Sequence, residues 1–100
     1  MEINVQFVKM VTSDHLEAFV IKKLEKLAKK FDWIIKADVF FKIKKDPKGK
    51  GKICDIQLSL PGPRIFATSN DESFEAATDE TIRDLEKQLK KRKSEMKRHL

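Results

Sequence analysis

Apolar positions along the chain recur every second residue in four stretches and every three to four residues in two, and these changes of period outline the elements. In EINVQFV (2–8), Ile3, Val5 and Phe7 alternate with Glu2, Asn4 and Gln6, which predicts a half-buried strand. VTSDHLE brings helix-start signals: the Ser13 hydroxyl can cap a first turn, and Asp14 sits where the helix dipole favours an acid. From Leu16 the period lengthens. Leu16, Phe19, Val20, Leu24, Leu27, Ala28 and Phe31 share one face of a helix predicted to stop near Phe31–Asp32. KADVFFKIKK (36–45) alternates again, Ala37, Val39, Phe41 and Ile43 facing one way and Asp38, Phe40, Lys42 and Lys44 the other. DPKGKGK (46–52) breaks any regular element and reads as a turn. ICDIQLSL (53–60) sets Cys54, Ile56, Leu58 and Leu60 on one side, PGP (61–63) is a tight connection, and RIFATSN (64–70) predicts a fourth strand with Ile65 and Ala67 inward. The stretch from Asn70 to Lys97 predicts one long helix with an apolar stripe of Phe74, Ala77, Thr78, Ile82, Leu85, Leu89 and Met96.

The resulting order is β-α-β-β-β-α. A right-handed crossover joins the first two strands if they pair in parallel, and the last three strands form an antiparallel meander. With one apolar sheet face and one stripe per helix, the economical solution is an α+β fold of two layers. Both helices then cover one face of a four-stranded sheet, and residues 1–100 form one domain.

Charge adds what periodicity does not. The net charge of +6 is unevenly spread: residues 22–52 carry twelve lysines against four acids, residues 53–86 two arginines against eight acids, and residues 87–100 seven bases against Glu95. Two basic blocks flank an acidic one, an asymmetry that points toward a polyanionic partner, with ordinary solubilising charge as the alternative. On a helical wheel Lys22, Lys23, Lys26, Lys29 and Lys30 gather on one flank of the first apolar arc, away from Glu17 and Glu25. Within that helix they lack the Glu–Lys alternation that would stabilise a merely solvated face. In the second helix Arg83, Lys87, Lys90, Lys97 and Arg98 lie opposite the stripe, with Lys91 and Lys93 on its shoulders. Arg92 falls toward the apolar side, where the sheet is expected to have run out, so the last turns should project as a basic rod. The two outer faces then make one basic surface suited to structured RNA. Aromatic stacking motifs, a GxxG clamp and zinc-finger spacing are missing, so contact should run from lysine to phosphate.

Other chemistry finds little support. His15 and His99 are the only histidines, and neither stands with Cys54 in a nucleophile or zinc-ligand motif, so no enzyme activity, metal or other cofactor is expected. Cys54 alternates inward as a small core residue, and a single cysteine forms no internal disulfide, which suits a reducing cytoplasm. No apolar run reaches the ~20 residues of a membrane span, and neither a membrane nor a small-molecule substrate is expected. GKGK is not followed by a helix and does not make a phosphate loop. Trp33 reads as a lid on the core edge, with a base or ribose contact as the alternative. Phe40 and Phe66 point to the free sheet face, where they could pair across strands or form a docking patch.

FVIKKLEKLAKKFD (19–32) and ATSNDESFEAATDETIRDLEKQLKKRK (67–93) resemble the ribosome hibernation promoting factor family, also called ribosome-associated translation inhibitors. Ala76, Ala77 and Asp79 match the family's Ala-Ala-apolar-Asp step. Leu85, Gln88, Leu89, Lys91 and Lys93 match the following Leu and Gln-Leu-x-Lys-x-Lys, and Lys23, Lys26, Phe31 and Asp32 match the first helix. Thr78 in place of an aliphatic residue, the Arg83–Asp84 order and Trp33 depart from the pattern. The resemblance implies a fold similar in look to double-stranded RNA-binding domains. It also implies binding of ribosomal RNA in the channel between head and body of the small subunit, where messenger RNA and tRNA would otherwise sit. Translation would then stop in stationary phase or stress. By position it assigns RNA contact to Lys23, Lys26, Lys87, Lys91 and Lys93; Lys22, Lys29, Lys30, Arg83, Lys90 and Lys97 follow from the wheel. The chain looks like the short form of the family, monomeric off the ribosome. The rival readings are a general double-stranded RNA-binding module and a protein-interaction domain using the free sheet face.

Overall fold

The computed structural model describes the backbone of residues 1–98 and the side chains of residues 1–96. The elements are β1 (Glu2–Phe7), α1 (Asp14–Lys30), β2 (Lys36–Ile43), β3 (Lys52–Ser59), β4 (Ile65–Asp71) and α2 (Phe74–Arg98). The four strands lie in the order β1-β2-β3-β4. β1 runs parallel to β2, with Ile3 beside Ala37 and Phe7 beside Phe41. The remaining pairings are antiparallel, and Ile56 sits between Val39 and Ala67. This register puts Ala37, Val39, Phe41, Cys54, Ile56, Leu58 and Ala67 on one face. There they are buried with Leu16, Val20, Leu24 and Leu27 of α1 and Ala77, Leu85 and Leu89 of α2. Both helices therefore cover the same face, the two-layer α+β arrangement that the periods predict.

Local chemistry sets the helix ends. The Ser13 hydroxyl accepts from the Leu16 amide at 3.2 Å, the capping bond expected of it. The second helix starts later than its pattern predicts. Asn70 and Asp71 still pair with Ile53 and Lys52 in the sheet, and Ser73 takes over as the cap, accepting from the Ala76 amide at 3.1 Å. Two further expectations are corrected. Ile43 is 56% exposed, because β2 outruns the helical layer there. Phe40 and Phe66 do not pair: they belong to β2 and β4, which β3 separates, and they stand opposite Asp55 and Gln57 respectively.

The face of α2 that meets β3 is more polar than its apolar stripe suggests. Thr81 is fully buried and donates to the Cys54 carbonyl at 2.9 Å, while the buried Thr78 donates to the Phe74 carbonyl at 2.7 Å. Both hydroxyls are satisfied, so their burial carries no large penalty. Burial pushes the Cys54 thiol up to about 11, against the opposing pull of hydrogen bonds with Thr78 and Thr81. Farther along α2, Arg92 donates to the carbonyls of Pro61 at 3.2 Å and Pro63 at 3.0 Å. The sheet has ended, as expected, but the PGP connection has not, and Arg92 pins it. Gly62 at its centre has φ +92°, a backbone state that glycine adopts without strain. Beyond Arg92 the side chains of Lys93–Met96 are exposed, so α2 continues past the core, and Met96 stands outside the buried stripe.

Candidate nucleic-acid interface

The two helices run side by side in the same direction, since Lys23 and Lys30 of α1 meet Asp79 and Glu86 of α2 in the same order along both. Ion pairs climb the seam in step: Lys23 Nζ to Asp79 at 3.0 Å, then Lys30 Nζ to Glu86 at 2.9 Å. Lys90 reaches Glu86 from within α2 at 3.6 Å, and Lys93 Nζ lies 6.0 Å from the centre of the Phe31 ring. The lysine-rich ends of both helices therefore meet at one end of the molecule.

On this layer, Lys22, Lys26 and Lys29 are exposed along the outer side of α1. Arg83, Lys87 and Lys90 are exposed along the outer side of α2 at helical spacing. Lys23 and Lys30 face the seam, as does Lys93 at its upper end. Lys91 lies on the far flank of α2, beside Ile65, Gln88 and Glu95. Of the predicted contact residues, those through Lys93 thus share one layer, on the side of the sheet that the helices cover. The side chain of Lys97 lies outside the described residues, as do Arg98's side chain and His99.

The surface is not the uninterrupted cationic plane that the wheels suggest. Asp79 and Glu86 run down its middle and pair with Lys23, Lys30 and Lys90. Reading one helix at a time hides this, because the acids that match the α1 lysines belong to α2. The Lys30 hydrogen bond holds the Glu86 carboxyl below its ordinary range, slight burial opposing it. Both pairs are substantially solvent-exposed, and such pairs contribute only about 0–1 kcal/mol each. An incoming phosphate can replace a carboxylate at little cost. Between the helices a groove of about 430 Å³ has Leu27 and Ile82 in its lining, together with Lys23, Lys26, Lys29, Lys30 and Glu86. It combines an apolar floor with a cationic rim and one acceptor.

Outside this layer the candidates recede. His15 Nε2 lies 3.5 Å from Glu75 on the surface, and Cys54 is fully buried. Among the described residues, no group of three or more His, Cys, Asp or Glu side chains could hold a metal ion, and no helix is long and apolar enough to cross a membrane. Trp33 packs edge-on against Phe31 at 5.9 Å and is part of the rim of the core, the lid role expected of it. Phe66 is 52% exposed, but its cross-strand neighbour is Gln57, and a single exposed aromatic is ordinary on a soluble surface. Asp55, which the sequence reading passed over, is only 7% exposed although it lies on the free face; Lys42 pairs with it at 2.7 Å and the Thr68 hydroxyl donates to it.

Three comparisons bear on this layout. The family model described as sigma 54 modulation protein / S30EA ribosomal protein matches residues 3–97. A ribosome hibernation promoting factor from Pseudomonas putida is 29% identical over 93 residues, covering 93% of this chain and 87% of the relative. Among solved structures, a ribosomal subunit interface protein from Coxiella burnetii is similar at a TM-score of 0.83 with 30% identity, covering 94% of this chain and 99% of that one. The N-terminal domain of Protein Y from Thermus thermophilus reaches a TM-score of 0.77 with 27% identity, covering 91% and 98%.

Proposed function

The chain belongs to the sigma 54 modulation protein / S30EA ribosomal protein family, and from that premise we propose that it is a ribosome-binding hibernation factor acting on the small subunit. Its helical layer lies against ribosomal RNA in the channel between head and body, and its bulk occupies the space that messenger RNA and tRNA need. Inhibition is steric, so the residues that matter are those that hold the protein in place. The observation that carries the reading is the shared outward layer of Lys22, Lys26, Lys29, Arg83, Lys87, Lys90 and Lys91, all exposed. These cations outnumber the seam acids and offer phosphates a broad, rigid platform. Lys23 and Lys30 join it once phosphate displaces Asp79 and Glu86.

The test is co-sedimentation with small subunits at moderate salt, comparing the native chain with Lys26→Glu plus Lys91→Glu. Loss of the double variant from the subunit peak is expected, and equal co-sedimentation would sink the reading. A plain RNA duplex added as competitor addresses the rival of a general double-stranded RNA-binding module. That rival gains if the duplex, at matched phosphate concentration, strips the chain from subunits; the hibernation reading expects the chain to stay bound.

A further inference from the structure

We infer that the β2–β3 hairpin, residues 44–51, is a second phosphate-binding element for RNA, at the pole of the molecule opposite the lysine-rich ends of α1 and α2. The inference rests on the ribosome-binding reading and extends it to a part of the chain which that reading leaves unused. Lys44, Lys45, Lys48 and Lys50 are all exposed, and among the described residues none is within ion-pair distance of an acid. In this they differ from Lys23, Lys30 and Lys90, which the seam acids partly neutralise.

The hairpin's own acid accepts from neutral donors and forms no ion pair with these lysines. One Asp46 oxygen accepts from the Lys48 amide at 2.8 Å, and the other accepts from Asn70 at 3.4 Å. Asn70 in turn accepts from the Gly51 amide at 2.7 Å. The Lys44 amide donates to the Gly51 carbonyl at 2.9 Å, and the Gly49 amide to the Asp46 carbonyl at 3.2 Å. Gly51 is required: its φ is +131°, and a Cβ there would stand 2.2 Å from the Lys44 carbonyl oxygen. The loop is thus held in one shape, bracketed from β4, and its four exposed lysines fall within seven residues of chain. A loop that only improved solubility would not need this frame. Like charges fixed together repel until an anion neutralises them, and lysine without neighbouring aromatics suits phosphate backbone and not bases.

Position makes the hairpin a separate contact. Lys52, at its base, pairs in register with Asp71, and its Nζ lies 5.8 Å from the ring of Phe74, the first residue of α2. The hairpin therefore belongs to the end where both helices begin. The 17 residues of α1 place Lys29 and Lys30 roughly 25 Å away along the helix. That distance exceeds the Debye length of about 8 Å at physiological salt, so the two basic poles act on separate stretches of RNA.

The experiment compares the native chain with Lys45→Gln, Lys48→Gln, Lys50→Gln combined. Binding to small subunits is measured across a salt series, and ribosomal RNA protection is mapped by hydroxyl-radical footprinting. The triple variant should flatten the slope of log affinity against log salt by about 2 to 3 units, one for each lost phosphate contact. It should also lose one protected RNA segment while keeping the segment that Lys26→Glu plus Lys91→Glu loses. An unchanged slope and footprint, with the native chain bound to subunits, overturns the hairpin inference alone. A native chain that never binds subunits overturns the ribosome reading itself.

Discussion

The free face of the sheet and the outer face of the helical layer both carry many charges, yet they use them differently. On the sheet face, acids and bases are matched between neighbouring positions: Lys36 lies 3.7 Å from Asp38, which also accepts from Asn4, and Lys42 lies 2.7 Å from Asp55, which also accepts from Thr68. On the helical layer, cations exceed the acids that could match them, and the pairs that do form are exposed. Of these sheet-face charges only Asp55 is buried, and a charge matched and buried in that way helps hold the fold together. A charge that is unmatched and exposed is available to a partner. The helical layer has the larger number of lysines, and pairing and burial set the two faces further apart.

The largest expected effect breaks the comparison on the helical side. Lys26→Glu with Lys91→Glu should weaken small-subunit binding on the order of a hundredfold at moderate salt, since each substitution removes a contact and sets an acid against phosphate. Lys36→Gln, on the sheet face, should leave binding within a factor of about two, where Lys26→Gln, which removes the same single unit of charge from the helical layer, should weaken it several-fold. Comparable losses from both variants would mean that net charge, not placement, drives association.

The mirror experiment is Asp55→Ala. It removes a carboxylate that is 7% exposed and bonded to both Lys42 and Thr68, at a cost of about 1.5–3 kcal/mol in urea unfolding. Subunit affinity of the folded variant should stay unchanged. An Asp55→Ala chain as stable as the native one would show that the sheet-face pairs are as dispensable as ordinary surface pairs.

These contrasts also show what the sequence could and could not disclose. Alternation in 36–43 and 53–60 is strong because one sheet face is fully buried, so a register error would expose Val39 or Ile56. The Ser13 cap was legible because it is a local, three-residue interaction. Non-local partners were not. Asp79 and Glu86 meet Lys23 and Lys30 across 56 residues of chain, and nothing in either helix alone announces the match. Thr81 escaped for a related reason: as a hydroxyl residue it interrupts the apolar stripe, and only the Cys54 carbonyl opposite it accounts for its burial. Ile43 failed in the other direction, because alternation says which face a residue takes but not where the covering layer ends.

A smaller effect comes from the interior that both faces share. The Cys54 thiol, raised from 9.0 to about 11, stays protonated in the folded protein where the unfolded chain has released its proton. The folded state then binds more protons, so stability is full below pH 9 and falls as pH rises toward 11, by about 1.4 kcal/mol at about pH 10. Urea midpoints of the native chain should decline more steeply over this range than those of Cys54→Ala, which lacks the thiol. Parallel curves would mean that the thiol is no harder to ionise in the fold than out of it.

The smallest stability change, and the sharpest test of the comparison, belongs to the seam. Asp79→Asn with Glu86→Gln removes both acids of the seam between the helices. Because their pairs with Lys23, Lys30 and Lys90 are exposed, unfolding free energy should move by less than about 1 kcal/mol, in contrast to Asp55→Ala. Binding should respond in the other sense. Lys23 and Lys30 would no longer be engaged within the protein, so affinity for any polyanion rises, and it rises most for partners that fit the layer poorly. The expected result is a several-fold gain on a plain RNA duplex with a smaller gain on small subunits, measured by titration at one salt concentration. The seam acids then act as a filter: an RNA must present phosphates in the right places to displace them. Equal gains on both RNAs would reduce Asp79 and Glu86 to simple charge dilution, and a large loss of stability would move them into the same class as Asp55.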